Sequence, residues 1–399
     1  MGRLPWLAFF FERILRFTVR FDMRSHASWS DTAGAKSSVE LVERIGLVGL
    51  PNAGKTSLFN ALTGAEAAVA PHPFTTTESS VAVAPVPDVR LDALATMSSS
   101  KKVVRAGVEV VDIAGLVAGA SSGEGLGNRF LAGIREVDAL CLVLRSFDDP
   151  EVPGVTDALD ALGTLEIELV LADLATLESQ IDKRRKASRA DKSLAAEVAA
   201  LERAHEALQT GTPLYRSVLD AEDRELRRGM FLLTDKPVLV VVNLGEDQLE
   251  KADAVVAPLV DALTGHGEVL GACVQLEAEA ARLDPAERAE MFEGFGLGEG
   301  ALARVAAASY QLLGRRIFFT TGDKESRAWS FRHGASAPEC AGVIHSDLQR
   351  GFIRAEVIHW DELLDAGSWA VAKSGGHIRL EGKDYHVLDG DVLEIRFNV

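Results

Sequence analysis

The chain has 399 residues, 47% of them hydrophobic, so it is long enough for roughly two or three domains with real cores. Its 42 Lys and Arg against 59 Asp and Glu give a formal net charge of −17, which excludes a protein that coats nucleic acid through its overall charge. Any contact with RNA must therefore come from a local basic patch.

The cysteines Cys141, Cys273 and Cys340 lie far apart and form no C-x-x-C pair. This spacing argues against a zinc site and against a disulfide framework, and it fits a reducing compartment. No apolar run is long enough to span a bilayer. We therefore expect a cytoplasmic protein with no membrane partner.

Residues 1–43 are expected to lie outside the folded part of the chain. Trp6–Phe11 is apolar, and arginines follow at helical spacing before a polar linker, Ser25–Ser38. These arginines are Arg13, Arg16, Arg20 and Arg24. Three interpretations stay open: a mis-assigned start with Met23 or a later residue as the true beginning, a targeting or membrane-surface helix, and a disordered tail.

A phosphate-binding loop follows a short apolar strand, Ile45–Val48, and precedes a helical stretch, Ser57–Leu62. The loop matches the G-x-x-x-x-G-K-[ST] pattern, in which glycines let backbone N–H groups and a helix N-terminus converge on phosphates. The residues predicted to bind nucleotide here are Gly49, Pro51, Asn52, Ala53, Gly54, Lys55, Thr56 and Ser57. Lys55 is predicted to contact the β- and γ-phosphates, and Thr56 to bind Mg²⁺ through its hydroxyl.

Two further stretches are predicted to act on the γ-phosphate. In Pro73–Thr77, Thr76 is predicted to add a second hydroxyl to Mg²⁺, although a threonine run alone is more typical of a solvated turn. The strand Val108–Val111 ends in Asp112, which is predicted to hold Mg²⁺ through water, and the Gly115 N–H is predicted to reach the γ-phosphate. The glycine-rich stretch Gly119–Asn128 is predicted to be mobile.

Residues 160–210 change to a helical pattern with two apolar seams. The first seam is Ile167, Val170, Leu174, Leu177 and Ile181, and the second is Leu194, Val198, Leu201, His205 and Leu208. These seams predict an antiparallel coiled-coil hairpin, with His205 packed rather than binding a ligand. The basic tip, Lys183–Lys186 with Arg189 and Lys192, is a candidate contact for RNA or the ribosome; the alternative is a solvated helix end.

The α/β pattern resumes at Val238–Val242, a continuous apolar strand that ends in Asn243–Glu246, where base-reading motifs lie. Gly271–Leu276 is predicted as one more strand, and helices follow to Leu313. From Ile317 the pattern becomes β-rich around one helix, Ala341–Gly351, which predicts an α+β module of ubiquitin-like size that serves in binding. Its predicted strands are Ile317–Thr321, Arg327–Phe331, Gly376–Leu380, Lys383–Val387 and Val392–Phe397, with a hairpin at Asp389–Asp391.

Taken together, these motifs resemble the YchF/Ola-type P-loop NTPases related to Obg, from about Arg44 to Val399. The motifs are Gly49–Ser57, Pro73–Thr76, Asp112–Val117, Gly123–Asn128, Ile134–Asp138, Glu381–Tyr385 and Phe397–Val399. The resemblance implies an α/β P-loop NTPase (G domain) with an inserted α-helical coiled-coil hairpin and a C-terminal α+β ubiquitin-like (TGS) domain. The expected boundaries are 44–150 and 236–313 for the G domain, 151–235 for the insertion and 314–399 for the TGS domain.

The base-reading motif departs from the N-K-x-D pattern of guanine-specific relatives. Leu244 replaces the Lys, and Glu246 is one methylene longer than the Asp that accepts from guanine. This departure weakens guanine selection, and the resemblance implies that ATP is preferred or accepted. Asn243, Leu244 and Glu246 are the predicted base contacts, with a backbone contact from Cys273, because Cys273–Gln275 stands where Ser-Ala-Lys is usual.

Hydrolysis is expected to be slow. Leu116 stands where Ras-like proteins have the glutamine that orients water, and Leu142 stands where some relatives carry a His. Assistance must come from another group, a monovalent cation or a partner. Asn52 resembles the phosphate-loop Asn that binds K⁺ in some relatives, so a K⁺ site there is a hypothesis.

The resulting prediction is a slow, Mg²⁺-dependent ATPase switch. It is expected to be a monomer that contacts the ribosome, through the large subunit or rRNA, with the hairpin tip and TGS domain, and to act in translation or stress regulation. One alternative is a GTP-preferring ribosome-assembly GTPase. Another is a scaffold whose bound nucleotide is structural and whose hairpin and TGS domain do the binding.

Overall fold

The structure, a computed structural model, describes residues 43–65, 79–113, 126–295, 297 and 300–398. The predictions for residues 1–42, Thr76, Gly115 and Leu116 lie outside these ranges, as do those for most of Gly119–Asn128. Within the described ranges, no helix is both long enough and apolar enough to cross a bilayer.

The secondary structure alternates strands and helices up to residue 312 and becomes strand-rich afterwards. The strands are β1 (Arg44–Val48), β2 (Ser80–Pro85), β3 (Val103–Val104), β4 (Gly107–Asp112), β5 (Ala139–Arg145), β6 (Val238–Asn243), β7 (Glu268–Ala272), β8 (Arg315–Thr320), β9 (Ser326–Arg332), β10 (Phe352–His359), β11 (Arg379–Glu381) and β12 (Asp391–Phe397). The helices are α1 (Lys55–Thr63), α2 (Val89–Met97), α3 (Leu126–Arg135), α4 (Ala158–Ser188), α5 (Ala195–Gln209), α6 (Ala221–Arg227), α7 (Ala252–Leu263), α8 (Val274–Ala280), α9 (Pro285–Gly294), α10 (Ala301–Leu312), α11 (Ala337–Ile344), α12 (Ser346–Arg350), α13 (Trp360–Ala366) and α14 (Trp369–Ser374).

The first sheet has the strand order β2-β4-β1-β5-β6-β7, and its neighbours are parallel except for the antiparallel pair β2 and β4. Strands β5 and β6 are buried along their whole length, as expected for a parallel sheet covered on both faces. Helices α3, α4 and α7 pack on one face, and α1, α8 and α10 pack on the other. The carboxyl ends of β1, β4, β5 and β6 therefore meet at one edge.

The long helix α4 belongs to two cores. Its first half packs on the first sheet through Leu162 and Leu165, and its second half packs on α5 through Leu177 and Ile181. The two seams agree with the structure except at Ile167, which is 58% exposed, and at Leu194, which lies in a 3-10 turn before α5 and outside the core between the helices. Ile167 belongs to neither of the two cores that α4 joins.

A buried carboxylate fixes the insertion to the first sheet. Asp173 on α4 accepts hydrogen bonds from Leu233 N at 2.9 Å, Thr234 N at 2.8 Å and Thr234 Oγ1 at 2.7 Å, just before β6 begins. Burial raises the pKa of Asp173 to about 6, although these three hydrogen bonds oppose the shift.

The second sheet, with strand order β11-β10-β12-β8-β9-β3, corrects several predictions. Strand β10 lies inside the sheet but was not predicted, and Lys383–Val387, predicted as a strand, forms no strand in the structure. The predicted helix Ala341–Gly351 is two helices that meet at His345. In the first sheet, the predicted strand Gly271–Leu276 is wrong beyond Ala272, because helix α8 begins at Val274.

The second sheet also contains a segment that precedes it by more than 200 residues. Strand β3 pairs in parallel with β9, and α2 contributes Leu91 and Leu94 to a core that includes Phe319 and Ile358. Arg90 pairs with Asp389 at 2.7 Å across the same contact. The connection between β2 and β4 therefore completes the C-terminal fold.

This shared core yields a stability prediction. Leu94→Ala should lower the free energy of unfolding by about 2–5 kcal/mol, because it leaves a cavity among side chains from both segments. Val89 on the same helix is 72% exposed, so Val89→Ala should cost less than about 0.5 kcal/mol. Urea unfolding of the full chain measures both, and equal costs would contradict the shared core.

Candidate functional site

Two glycines of the loop between β1 and α1 occupy positions where a side chain would clash with its surroundings, and at Gly54 the backbone is also left-handed. Gly54 has φ +95°, and a Cβ there would lie 2.3 Å from Asn243 Nδ2. A Cβ on Gly49 would lie 2.5 Å from Val143 O. The glycine spacing of the motif thus allows close approach of the loop to β5 and β6.

Lys55 is held in the loop with its ammonium group largely removed from water. Its side chain is 8% exposed, and Nζ donates to Gly49 O at 3.1 Å and to Leu50 O at 3.0 Å. Burial lowers the pKa of Lys55 to about 8, and the nearby Asp112 carboxylate partly opposes this shift. A phosphate at the loop could replace these carbonyls as the partner of the ammonium group.

Thr56 and Asp112 come together from α1 and the end of β4. Thr56 Oγ1 donates to Asp112 Oδ2 at 2.6 Å, and Asp112 is fully buried. Burial raises the pKa of Asp112, while the Thr56 hydrogen bond and the Lys55 charge oppose the shift. Asp112 Oδ1 has no hydrogen-bond partner among the described residues.

These oxygens fit a magnesium ion. Hydroxyl and carboxylate oxygens are the ligands Mg²⁺ prefers, and Asp112 Oδ1 is a buried acceptor that lacks a donor such as metal-bound water. Within the described ranges no three His, Cys, Asp or Glu side chains group together for a metal. A magnesium ion here would therefore take most of its ligands from phosphates and water, with Thr56 from the protein.

Asn243 bridges two parts of the site. Its Nδ2 donates to Ala53 O at 3.1 Å, and its Oδ1 accepts from Val274 N at 3.2 Å. The amide therefore ties the phosphate-binding loop to the start of α8, whereas its predicted base contact stays a prediction.

The other predicted base contacts differ in their exposure. Leu244 is 2% exposed and packs in the core of the first sheet, and its predicted contact with the nucleotide stays a prediction. Glu246 is exposed at the start of a short 3-10 helix, Glu246–Lys251. Cys273 is buried, and its predicted backbone contact stays a prediction.

A group of residues after β5 was not predicted from the sequence. Ser146 Oγ and Gly245 N both donate to Gln248 Oε1 at 2.9 Å, and Gln248 Nε2 donates to Ser146 O at 2.8 Å. Asn52 Nδ2 donates to Pro153 O at 2.9 Å in the same segment. The sequence feature that could have indicated this group is the charged Arg145 at the end of an otherwise apolar strand.

At the far end of the hairpin, part of the basic tip is already paired. Arg184 lies 3.1 Å from Glu197, and Arg185 lies 2.5 Å from Glu202. Among the described residues, no carboxylate forms an ion pair with the exposed Lys183 or Lys186. These lysines, with the exposed Arg189 and Lys192, are positive charges available to a partner.

Comparisons with known proteins find similarity to YchF proteins over most of the chain. A family model described as a 50S ribosome-binding GTPase matches residues 44–164, and the model for the C-terminal domain of YchF GTPases, described as a protein of unknown function, matches residues 316–398. The ribosome-binding ATPase YchF of Bacillus subtilis is 44% identical over 361 residues, covering 89% of this chain and 99% of its own length. The protein of the same name from Escherichia coli O157:H7 is 42% identical over 360 residues, with the same coverage.

A solved structure extends the similarity to three dimensions. The YchF GTPase of Schizosaccharomyces pombe matches with a TM-score of 0.79 and 30% identity, covering 90% of this chain and 99% of that one. The first sheet thus has the P-loop GTPase fold, and the rest of the described chain is arranged as in this relative.

We expect nucleotide affinity to fall as the pH rises above about 8, the pKa of Lys55 in this structure. Phosphate oxygens next to the ammonium group should raise this pKa, so binding takes up a proton in that range. The affinity should fall by up to about tenfold per pH unit. Calorimetry with ATP and Mg²⁺ from about pH 7 to about pH 9.5 measures the affinity. Repeating it in buffers of different ionisation enthalpy measures the number of protons taken up.

Lys55→Met serves as the control for this pH dependence, because it removes the titrating group. Its binding should be weaker at every pH and should show no proton uptake above about pH 8. An affinity of the unchanged protein that stays constant up to about pH 9.5 would contradict the prediction.

Proposed function

Since the chain belongs to the YchF family, we propose that it is a slow, Mg²⁺-dependent ATPase switch that associates with ribosomes. The observation that carries this proposal is the arrangement of Lys55, Thr56 and Asp112 around the end of β1. It combines a buried ammonium group, a hydroxyl and a carboxylate oxygen that lacks a donor, which is the set a magnesium–triphosphate complex requires.

The proposed roles follow from these positions. Lys55 stabilises negative charge on the transferred phosphoryl group, while the N–H groups of the phosphate loop hold the β-phosphate. Thr56 binds Mg²⁺ directly and Asp112 accepts from its water; the ion, when bound, neutralises charge on the phosphate oxygens. The predicted contributions of Thr76 and Gly115 complete the site in this proposal.

The base is proposed to be adenine. A Lys stem that packs on guanine is missing, because Leu244 stands in its place and packs in the core, and the carboxylate at the motif's Asp position is the exposed Glu246. The second candidate is a GTP-preferring enzyme, which the name of the Schizosaccharomyces pombe relative as a GTPase favours. The bacterial relatives are named ATPases, in agreement with the departure from N-K-x-D.

We further propose that the C-terminal sheet with its helices is a TGS domain, preceded by the insertion at 151–235 and a G domain at 44–150 and 236–313, of which residues 86–106 pack with the TGS domain. The ribosome contact is assigned to Lys183 and Lys186 at the hairpin tip and to the TGS domain, on the large subunit or its rRNA. The protein is proposed to act as a cytoplasmic monomer, with K⁺ near Asn52 as the candidate aid to hydrolysis.

Calorimetric Kd values with Mg²⁺ should show ATP bound more tightly than GTP. Glu246→Asp should reduce this preference, because the shorter carboxylate matches the guanine donors of N-K-x-D proteins. Asp247→Glu, an exposed neighbour, is the matched control and should leave the preference unchanged. GTP bound about tenfold more tightly than ATP, a difference of roughly 1.4 kcal/mol, would refute the adenine assignment.

Changing Lys183 and Lys186 together to Glu should weaken co-sedimentation with ribosomes and flatten its salt dependence, because fewer counterions are released. The same charge change at the exposed Lys251 and Arg304 should have little effect. Measurements with ATP, with ADP and without nucleotide also test the scaffold alternative, which requires identical binding in all three. Equal losses in both double variants would reject the tip as the contact.

A further inference from the structure

Arg145, the last residue of β5, is a buried cation next to the nucleotide-binding edge. Arg145 is 2% exposed, and among the described residues no carboxylate forms an ion pair with it. Its Nη2 atom is buried and has no hydrogen-bond partner in the described part of the chain. Burying an arginine without a carboxylate partner lowers the stability of the fold. Its presence here therefore points to a role beyond packing.

The guanidinium group shapes the segment that follows it. Arg145 Nε donates to Phe147 O at 2.9 Å, and Nη1 donates to Val152 O at 2.8 Å. The guanidinium carbon also lies 4.5 Å from the centre of the Phe147 ring, within cation–π range. One side chain thus holds both ends of the turn formed by residues 147–152.

This segment contacts both halves of the proposed nucleotide site. On the phosphate side, Pro153 O accepts from Asn52, and a Cβ on Gly154 would lie 3.5 Å from Pro51 O and 3.4 Å from Arg145 Nη1. On the base side, a Cβ on Gly245 would lie 3.1 Å from Phe147 Cβ. Ser146 joins the same region through Gln248.

We propose that Arg145 is a positioning residue for the nucleotide: it fixes the segment 146–154 so that the base-side loop and the phosphate loop keep one relative geometry. This inference rests on the proposed ATPase function. Lys55 and Thr56 lie on α1 and Asp112 lies on β4, all outside this segment, so the side chains that would hold the phosphates and Mg²⁺ are positioned without Arg145. Arg145 therefore contributes to recognition of the nucleoside part of ATP.

The test compares Mg²⁺-ATP with Mg²⁺-tripolyphosphate, which carries the phosphates alone. Arg145→Met should weaken ATP binding about tenfold and tripolyphosphate binding less than about twofold, because Lys55, Thr56 and Asp112 keep their positions while the base-side loop loses its fixed distance from the phosphate loop. In steady state, KM for ATP should rise while kcat stays within about twofold, as expected for loss of uniform binding. Arg145→Lys keeps the charge but not both hydrogen bonds or the planar stack, and should give an intermediate shift.

Arg227→Met is the matched control. Arg227 is also a buried arginine, paired with Asp235 at 2.8 Å before β6 begins, away from the nucleotide edge. The Arg227→Met variant should have a lower Tm but an unchanged ratio of ATP affinity to tripolyphosphate affinity. An unchanged ratio in Arg145→Met, or in Arg145→Lys if the Met variant does not fold, overturns the inference, as does an equal shift in Arg227→Met. Failure of the unchanged protein to bind ATP would instead overturn the proposed function.

Discussion

The nucleotide-binding edge depends on one amide group that two neighbouring loops share. Asn243 donates to the phosphate loop and accepts from the first turn of α8, so a single side chain sets the distance between β1 and β7 across the intervening strands. Its fit requires a glycine at position 54, since any side chain there would collide with the amide. The glycine and the asparagine are therefore parts of one geometric constraint, although 189 residues separate them.

Local patterns predicted the parts of the molecule whose geometry is set by short stretches of sequence. The phosphate loop, β4 with Asp112 and the two hairpin helices follow from glycine spacing, apolar runs and seam periodicity. The contacts between Ser146 and Gln248 could not be found this way, because they join segments about a hundred residues apart. The motif position of Leu244 predicted a nucleotide contact but not that its apolar side chain packs in the core, where burial stabilises it.

The wrong strand predictions in the C-terminal part have the same cause, namely contacts between residues that are distant in sequence. Strand β10 contains Glu356, a buried carboxylate that interrupts its apolar pattern and is compensated by Lys373 and Arg396 from elsewhere in the sequence. Strand β3 has two residues, too few for a periodic signal, and its partner Ser326 lies 223 positions away from Val103. In both places the stabilising partner is distant in sequence, so the local pattern alone was misleading.

The pairing of β3 with β9 has a consequence for how this protein could have been assembled in evolution or could be dissected by an engineer. The C-terminal sheet cannot be separated from the rest of the chain intact, because its edge strand β3 and part of its core, from α2, come earlier in the sequence. A fragment cut at residue 314 would expose the unpaired edge of β9 and the apolar side chains that α2 covers, a combination that favours aggregation. Exchange of this module between homologues would have to carry residues 86–106 with it, so the boundary that recombination must respect is discontinuous in sequence.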